Sequence, residues 1–377
     1  MVLISSTPVL TRDFDFELPA SSIAQEPAPR GESRLLVLDR EEGPERHRRV
    51  RDLPALLRRG DLLVLNDTRV IPARLFGNRV PGRPGTGELE TPRAIGKGQG
   101  TPSAAGAQGQ VELLLVERRS DLEWDALARP GRRARPGMRI EFATGLAAEV
   151  VGKHEDGRRR LRFSTPVEGH LDRLGHVPLP PYIRRPDELA DRERYQTVFA
   201  RRPGAIAAPT AGLHFSRPLL AEVAAAGIEI VEITLHVGIG TFKPVKVENV
   251  GLHRMDRERY EIPEESAAAL RRARADGRRV VAVGTTVVRA LEGAAAAAGG
   301  EPQPGPGTTD LFITPGFRFQ VIDILLTNFH LPRSTLLMLV CAFAGRDRIL
   351  AAYHEAIRAG YRFYSYGDAM LAERRTG

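Results

Sequence analysis

Residues 206–215 (IAAPTAGLHF) carry the pattern that most restricts the fold of this chain. Small apolar residues typical of a buried strand end at Pro209, a tight polar turn follows, and His214 comes just before Ser216-Arg217-Pro218. Serine is a good helix N-cap and proline suits the first helical turn, so the stretch predicts a strand, a turn and a helix start. Such loops bind ligands in α/β sheets. An ordinary connection with a structural histidine is the alternative.

Three further loops have the same form, in which a buried strand leads through small or polar residues to a helix or turn. Together with residues 210–214, they are residues 236–241, 284–286 and 327–334. Glycine lets a ligand approach the backbone, and threonine and serine hydroxyls supply hydrogen bonds. Because parallel strands bring such loops to one edge of a sheet, we expect the four to line a single pocket.

Helical and strand patterns alternate at both ends of the chain but not between them. Strands are predicted at 34–39, 61–65, 228–235, 279–283, 311–314 and 321–326, and helices at 53–59, 266–276, 285–292, 334–343 and 353–360. The intervening region instead contains short β-like runs at 73–77, 111–117, 138–142, 147–152 and 160–163, with only a weak turn near 124–127. The prediction is a mixed α/β fold: an α/β catalytic domain (1–72 and 164–377) with an inserted small β-barrel domain (73–163). Its segment 80–110, rich in Gly, Pro, Thr and Ala, is predicted to be a flexible loop.

The charge of the chain is carried almost wholly by arginine. The net charge is +8, and only four of the 55 cationic residues are lysine. Arginine suits phosphate and base stacking, which indicates a nucleic-acid partner, although GC-rich codons would enrich arginine too. A single cysteine, Cys341, excludes a disulfide framework. With no signal-peptide pattern and no unbroken apolar span, we expect a cytoplasmic protein without membrane contact.

The candidate acid/base residues are histidines in the polar loops. Phosphate-loop, dinucleotide, HExxH and GxSxG patterns are all missing from the sequence, and one cysteine cannot support a Cys–His cluster, so no metal is expected. Histidine titrates near neutral pH, which favours His214, His236 and His330 for proton transfer. His176 and His253 rank second, and one or two of the five are expected to be structural.

Several other polar groups have two interpretations each. Arg333 and Ser334 could hold a carboxylate or phosphate at a helix start, or form a plain N-cap. Arg289 and Glu292 are spaced to pair on one helical face. Residues 66–69 could bind a ligand or form a side-chain-capped turn. The aromatic residues of 361–370 could stack on bases or pack the C-terminal strand.

Taken together, these segments resemble the S-adenosylmethionine:tRNA ribosyltransferase-isomerase family of queuosine biosynthesis. The resemblance covers most of the chain and rests on residues 18–40, 60–77, 175–185, 194–216, 235–245, 282–292, 327–345 and 361–370. Two departures are the insertion at 80–110 and Asp256, which stands where the family pattern leads us to expect a second histidine.

The resemblance implies a fold and a reaction. The fold is an α/β catalytic domain with an inserted barrel. In the reaction, the ribosyl part of S-adenosylmethionine is transferred to the aminomethyl group of a 7-deazaguanine at the wobble position of tRNA. It is rearranged to an epoxycyclopentanediol, with release of adenine and methionine. S-adenosylmethionine is then a substrate, and the anticodon stem-loop of tRNA is the macromolecular partner. We expect a monomer, because one subunit can bind an asymmetric tRNA and the sequence has no coiled-coil pattern.

The same resemblance implies roles for the candidate residues. His214, His236 and His330 would share the acid/base work, without an assignment of which does which. The substrate-binding candidates are Thr210, Gly212, Gly240, Thr241 and Thr285 around the nucleoside, Arg333 and Ser334 at the methionine carboxylate, Asn328 or Asp368 at a ribose hydroxyl, and Arg289. Two rival functions are a non-catalytic RNA-binding protein and a conventional methyltransferase, which would leave S-adenosylhomocysteine as its product.

Overall fold

A computed structural model describes residues 9–39, 45–80, 109–238, 240 and 245–375. The chain divides into two compact units, Met1–Val70 with Pro180–Gly377 and Ile71–Leu179. The first is a mixed α/β unit and the second a closed β-barrel, so the predicted fold class is confirmed. Within the described residues, no helix is both long and apolar enough to cross a membrane.

The first unit is built on a nine-stranded mixed sheet with helices packed against it. Its strands are β1 (Arg34–Leu38), β2 (Arg46–Arg49), β3 (Leu62–Asn66), β12 (Glu229–Leu235), β13 (Glu258–Ile262), β14 (Val280–Val283), β15 (Gly305–Thr309), β16 (Ile324–Asn328) and β17 (Ala369–Glu373). The sheet order is β15-β13-β12-β3-β14-β16-β17-β1-β2, and a separate pair joins β4 (Thr68–Val70) to β11 (Arg202–Ala205). The helices are α1 (Leu53–Leu56), α3 (Asp191–Arg194), α4 (Arg217–Ala225), α5 (Glu264–Ala275), α6 (Thr285–Ala297), α7 (Thr335–Ala344) and α8 (Arg346–Arg358).

The centre of this sheet is parallel and covered on both faces. Strand β3 pairs in parallel with β12 and β14, so that Leu63 lies opposite Ile230 and Val281, and β14 pairs in parallel with β16. Alternate residues of β3 enter different cores, Leu62 on the face covered by α5 to α8 and Leu63 on the face covered by α1 and α4. Burial on both faces explains why these strands are continuous apolar runs. Their carboxyl ends meet at one edge.

The second unit is a six-stranded barrel with the order β10-β7-β6-β5-β8-β9. Its strands are β5 (Arg74–Val80), β6 (Gln110–Arg118), β7 (Glu123–Arg129), β8 (Arg139–Glu141), β9 (Ala147–Lys153) and β10 (Arg159–Phe163), and helix α2 (Glu168–Leu174) follows. Inward residues such as Leu113, Trp124, Val150 and Leu161 fill the core. The flexible loop predicted for 80–110 lies outside the described residues, except for its first residue and its last two.

The structure differs from the sequence-based predictions at particular elements. The weak turn expected near 124–127 is wrong, because these residues belong to β7 and pair with β6 and β10. The strand expected at 311–314 is also wrong. The strand instead spans Gly305–Thr309. Its glycines and proline are uncommon in strands, so the sequence does not indicate it, and pairing with the neighbouring β13 stabilises it. The sequence-based prediction assigns residues 164–179 to the α/β domain, whereas Val167 and Leu171 pack in the barrel core.

Candidate active site

A cleft lies at the carboxyl ends of the central strands. Each of the four polar loops contributes to its walls, with Thr210, Val237, Thr285 and His330 as one member from each. This position is the one where open α/β sheets bind ligands.

One wall is the start of helix α6. Gly284 connects β14 to this helix at φ 91°, a backbone conformation that glycine adopts readily and L-residues rarely adopt. Thr285 and Thr286 follow in the first turn, where backbone N–H groups have no partner within the helix. The Asn66 amide donates to Oγ1 of Thr286 (3.2 Å) and to the backbone carbonyl of Leu235 (3.0 Å), so it ties strand ends together. Asn66 therefore acts as a structural connector.

His330 is the one of the three candidate histidines that lines the cleft. Its Nε2 lies 2.8 Å from Oγ1 of Thr327, and its backbone N–H donates to the Tyr353 hydroxyl at 3.0 Å. Burial lowers the pKa of the imidazole to about 3. The ring is therefore neutral at physiological pH, which is the form able to accept a proton.

His214 lies behind the cleft wall. It ends a 3₁₀ turn spanning Thr210–His214, and its Nδ1 is 2.9 Å from Oγ of Ser33. Burial lowers the pKa of His214 to about 4, and the Asn328 side chain acts in the opposite direction. Nε2 of His214 and Oδ1 of Asn328 each lack a hydrogen bond of good geometry among the described residues. Asn328 itself lines the cleft and donates to the backbone carbonyl of Tyr364 at 2.9 Å. His214 thus contacts the site through a residue of the wall.

His236 is also set back from the cleft. Its Nδ1 is 2.8 Å from Oγ1 of Thr68, and burial lowers the pKa of its ring. The ring packs so closely against Gly204 that a Cβ at that position would lie 2.8 Å from it. The next residue, Val237, is the one that reaches the cleft. The structure therefore does not bring the three histidines together.

Arg289 and Glu292 are both buried and do not pair with each other. Arg289 forms an ion pair with Glu258, and its Nε donates to the carbonyl of Leu311 at 3.2 Å. Glu292 accepts three backbone N–H groups from residues 320–322, at 2.8 to 3.0 Å. Glu258 also accepts the backbone N–H of Gly238 at 2.9 Å. The predicted helical pair is therefore wrong, and Arg289 does not line the cleft.

The other predicted substrate-binding residues divide into two groups. Ser334 lines the cleft and caps α7, accepting the N–H of Leu337 at 3.1 Å. Arg333 is exposed and pairs with Asp15, away from the cleft. Three more lie elsewhere: Asp368 accepts the N–H groups of Arg34 (2.9 Å) and Arg362 (2.8 Å), Gly212 packs against Phe199 and Thr197, and Gly240 packs against Asp256. Thr241 is outside the described residues.

An aromatic wall completes the cleft. Tyr182 and Tyr364 both line it, with ring centroids 4.3 Å apart, and the Tyr182 hydroxyl lies 2.5 Å from Oγ of Ser365. Tyr364 has φ 74°, an uncommon conformation for a bulky residue that often marks functional sites. Of the other C-terminal aromatics, Tyr361 and Phe363 pack in the same core as Tyr364 but do not line the cleft. Tyr182 was missed because no local pattern links it to residues 364–365.

The walls together offer hydroxyl groups, one amide, one neutral imidazole and two phenol rings tilted 39° to each other. Such a set fits a small polar molecule that carries an aromatic base. Among the described residues, no group of three or more His, Cys, Asp or Glu side chains is placed to hold a metal ion.

Comparisons with known proteins agree with this architecture. The family described as "Queuosine biosynthesis protein" matches residues 11–372. A relative from Carboxydothermus hydrogenoformans, named S-adenosylmethionine:tRNA ribosyltransferase-isomerase, is 52% identical over 363 residues, covering 96% of this chain and 98% of the relative. A relative of the same name from Gloeobacter violaceus is 52% identical over 372 residues, covering 98% and 97%.

A solved structure is similar along almost the whole chain. The crystal structure of the S-adenosylmethionine tRNA ribosyltransferase from Thermotoga maritima covers 96% of this chain and 99% of its own, with 36% identity and a TM-score of 0.51. The resemblance inferred from the sequence is thereby confirmed: the chain belongs to the queuosine biosynthesis protein family.

Proposed function

We propose that this protein transfers the ribosyl part of S-adenosylmethionine to 7-aminomethyl-7-deazaguanine at the wobble position of tRNA and isomerises it. The products are epoxyqueuosine-tRNA, adenine and methionine. The observation that carries the proposal is the 52% identity, over 96% of the chain, to a relative named for this ribosyl transfer and isomerisation. The polar and aromatic cleft at the sheet edge supports it.

The cleft walls suggest how S-adenosylmethionine is held. The phenol rings of Tyr182 and Tyr364 offer a stacking surface for a purine, and the hydroxyls of Thr210 and Thr285 are suited to the sugar. The Ser334 hydroxyl lies at the start of α7, where a carboxylate is favoured by the helix N-terminus. Arg333 forms an ion pair with Asp15, so it is not assigned to the methionine carboxylate.

His330 is the residue we assign to proton transfer. The sulfonium of the donor acidifies neighbouring C–H bonds, and His330 is the candidate histidine at the cleft wall whose neutral imidazole can accept the proton. Departure of adenine requires a proton in turn, and the imidazolium formed in the first step can return one. The Thr327 hydroxyl holds the ring in position.

His214 and His236 become positioning residues in this proposal. His214 lies behind Asn328, which holds the carbonyl of Tyr364, so loss of His214 would act through that wall. His236 bonds to Thr68 and precedes Val237 of the cleft.

The deciding experiment incubates the protein with S-adenosylmethionine and tRNA carrying the aminomethyl-deazaguanine. We expect adenine and methionine in equal amounts and a mass increase of the wobble nucleoside. The matched control is the same tRNA with guanine at the wobble position, which should give no adenine. S-adenosylhomocysteine as product would instead show a methyltransferase, and tRNA binding without S-adenosylmethionine binding would show an RNA-binding protein.

A further inference from the structure

One end of the barrel carries a set of exposed cationic side chains. This end is formed by the last residues of β5, β7 and β9 and the first residues of β6, β8 and β10. We name its exposed cations the cationic rim, consisting of Arg79, Arg129, Arg132, Arg135 and Lys153. None of the five forms an ion pair with another residue that the structure describes. Residues 129–139 include five arginines and no carboxylate.

Two carboxylates near the rim are engaged by other arginines. Glu112 lies opposite Arg129 in the β6–β7 register, but it pairs with Arg74 at 3.3 Å. Glu141 on β8 pairs with Arg139 at 3.1 Å. Neither of these two carboxylates pairs with a rim cation.

The turn that bears most of the rim is held rigidly. The buried Arg159 donates to the backbone carbonyls of Ala134 (2.6 Å) and Gly131 (3.2 Å), and Ala134 itself is packed in the barrel core. Arg133 adds a bond to the carbonyl of Gln110 at 2.9 Å. A turn fixed in this way loses little entropy when its side chains bind a partner.

The opposite end of the barrel has a different charge arrangement. There Arg118 pairs with Asp121 (2.7 Å) and Glu168 (2.8 Å), and Arg162 pairs with Glu123 (2.9 Å). The charges of Arg118 and Arg162 are thus compensated by carboxylates of the protein.

We propose that the cationic rim binds the sugar–phosphate backbone of tRNA. The inference rests on the proposed function, which makes tRNA a substrate. Unpaired guanidinium groups on a rigid turn suit phosphate oxygens, and such contacts do not read base identity. The rim therefore contributes affinity whatever base occupies the wobble position.

The test replaces three rim arginines in the full chain, R129Q/R132Q/R135Q. Loss of three phosphate contacts should weaken tRNA binding about tenfold to a hundredfold near 0.1 M salt and lower the slope of log Kd against log salt by about 2. The loss should be equal for tRNA with guanine or aminomethyl-deazaguanine at the wobble position. The rate of adenine release at saturating tRNA should stay near that of the unsubstituted protein.

Two control variants separate the rim from net charge and from misfolding. R118Q/R162Q/R173Q removes the same charge at other exposed barrel positions and should change tRNA affinity little, while R129K/R132K/R135K should retain most of it. Unchanged affinity and salt slope in R129Q/R132Q/R135Q, or an equal loss in R118Q/R162Q/R173Q, would overturn the proposal. Failure of the proposed function would be seen separately, as no adenine release by the unsubstituted protein.

Discussion

Oγ1 of Thr327 lies 2.8 Å from Nε2 of His330, three residues further along the chain. The threonine is in the buried strand β16 and the histidine in the loop that follows it. A second bond, from the backbone N–H of His330 to the Tyr353 hydroxyl on α8 (3.0 Å), fixes the loop itself. The imidazole is therefore held from two elements at the wall of the cleft.

Replacement of His330 by alanine should lower adenine release about 10²- to 10⁴-fold, the range typical of a lost general base. Affinity for S-adenosylmethionine should change much less, because the imidazole is assigned to proton transfer rather than to binding. Single-turnover adenine release and calorimetric binding would separate the two effects. His354→Ala removes an exposed histidine of α8 and serves as the matched control. Near-normal turnover in His330→Ala would exclude the assignment.

The stability of the protein should fall as the pH drops below about 6.5. Burial lowers the pKa of His330 to about 3 and that of His214 to about 4, from 6.5 in the unfolded chain. Between the folded and the unfolded pKa of each histidine, the unfolded state binds more protons than the folded state. Protonation therefore favours unfolding, by up to about 1.4 kcal/mol per pH unit for each histidine. Urea unfolding from pH 7.5 to 5 measures this slope. His330→Gln should make it shallower, and an unchanged slope would contradict the prediction.

Tyr182 should contribute its ring to substrate binding more than its hydroxyl. Removing the ring in Tyr182→Ala takes away half of the aromatic wall and should raise the KM for S-adenosylmethionine about tenfold, the lower range for loss of one stacked base. Tyr182→Phe loses the hydroxyl, with its bond to Ser365, and keeps the ring surface, so its KM should stay within about threefold. Equal KM values for the two variants would show that the ring is not used for stacking.

The buried pair of Arg289 and Glu258 should matter for stability rather than for chemistry. Arg289→Met removes a cationic partner of the buried Glu258 carboxylate, so it should lower the free energy of unfolding by about 3 to 5 kcal/mol. Replacing both residues with apolar ones should recover part of this loss. Arg118→Met, which breaks exposed pairs with Asp121 and Glu168, is the control and should change stability little. Chemical denaturation of the four proteins compares these losses, and a loss in Arg289→Met as small as that in Arg118→Met would contradict the prediction.

The sequence alone determined the fold class, the barrel and the family. Hydrophobic runs and polar turns are local signals, since strand burial and turn geometry act over a few neighbouring residues. The turn at Pro209 and the Ser216 cap of α4 could be predicted for the same reason. In the structure, the N–H of Leu219 donates to the Ser216 hydroxyl at 3.2 Å.

Which residues of these loops face the cleft depends on tertiary packing. His214 and His330 have the same residue type in similar loops, yet one lies behind Asn328 and the other in the wall, because packing sets side-chain direction. The partner of Arg289 is 31 residues away, and Tyr182 meets Ser365 across 183 residues. Contacts over such separations depend on how the strands are ordered in the sheet, which no local sequence pattern encodes.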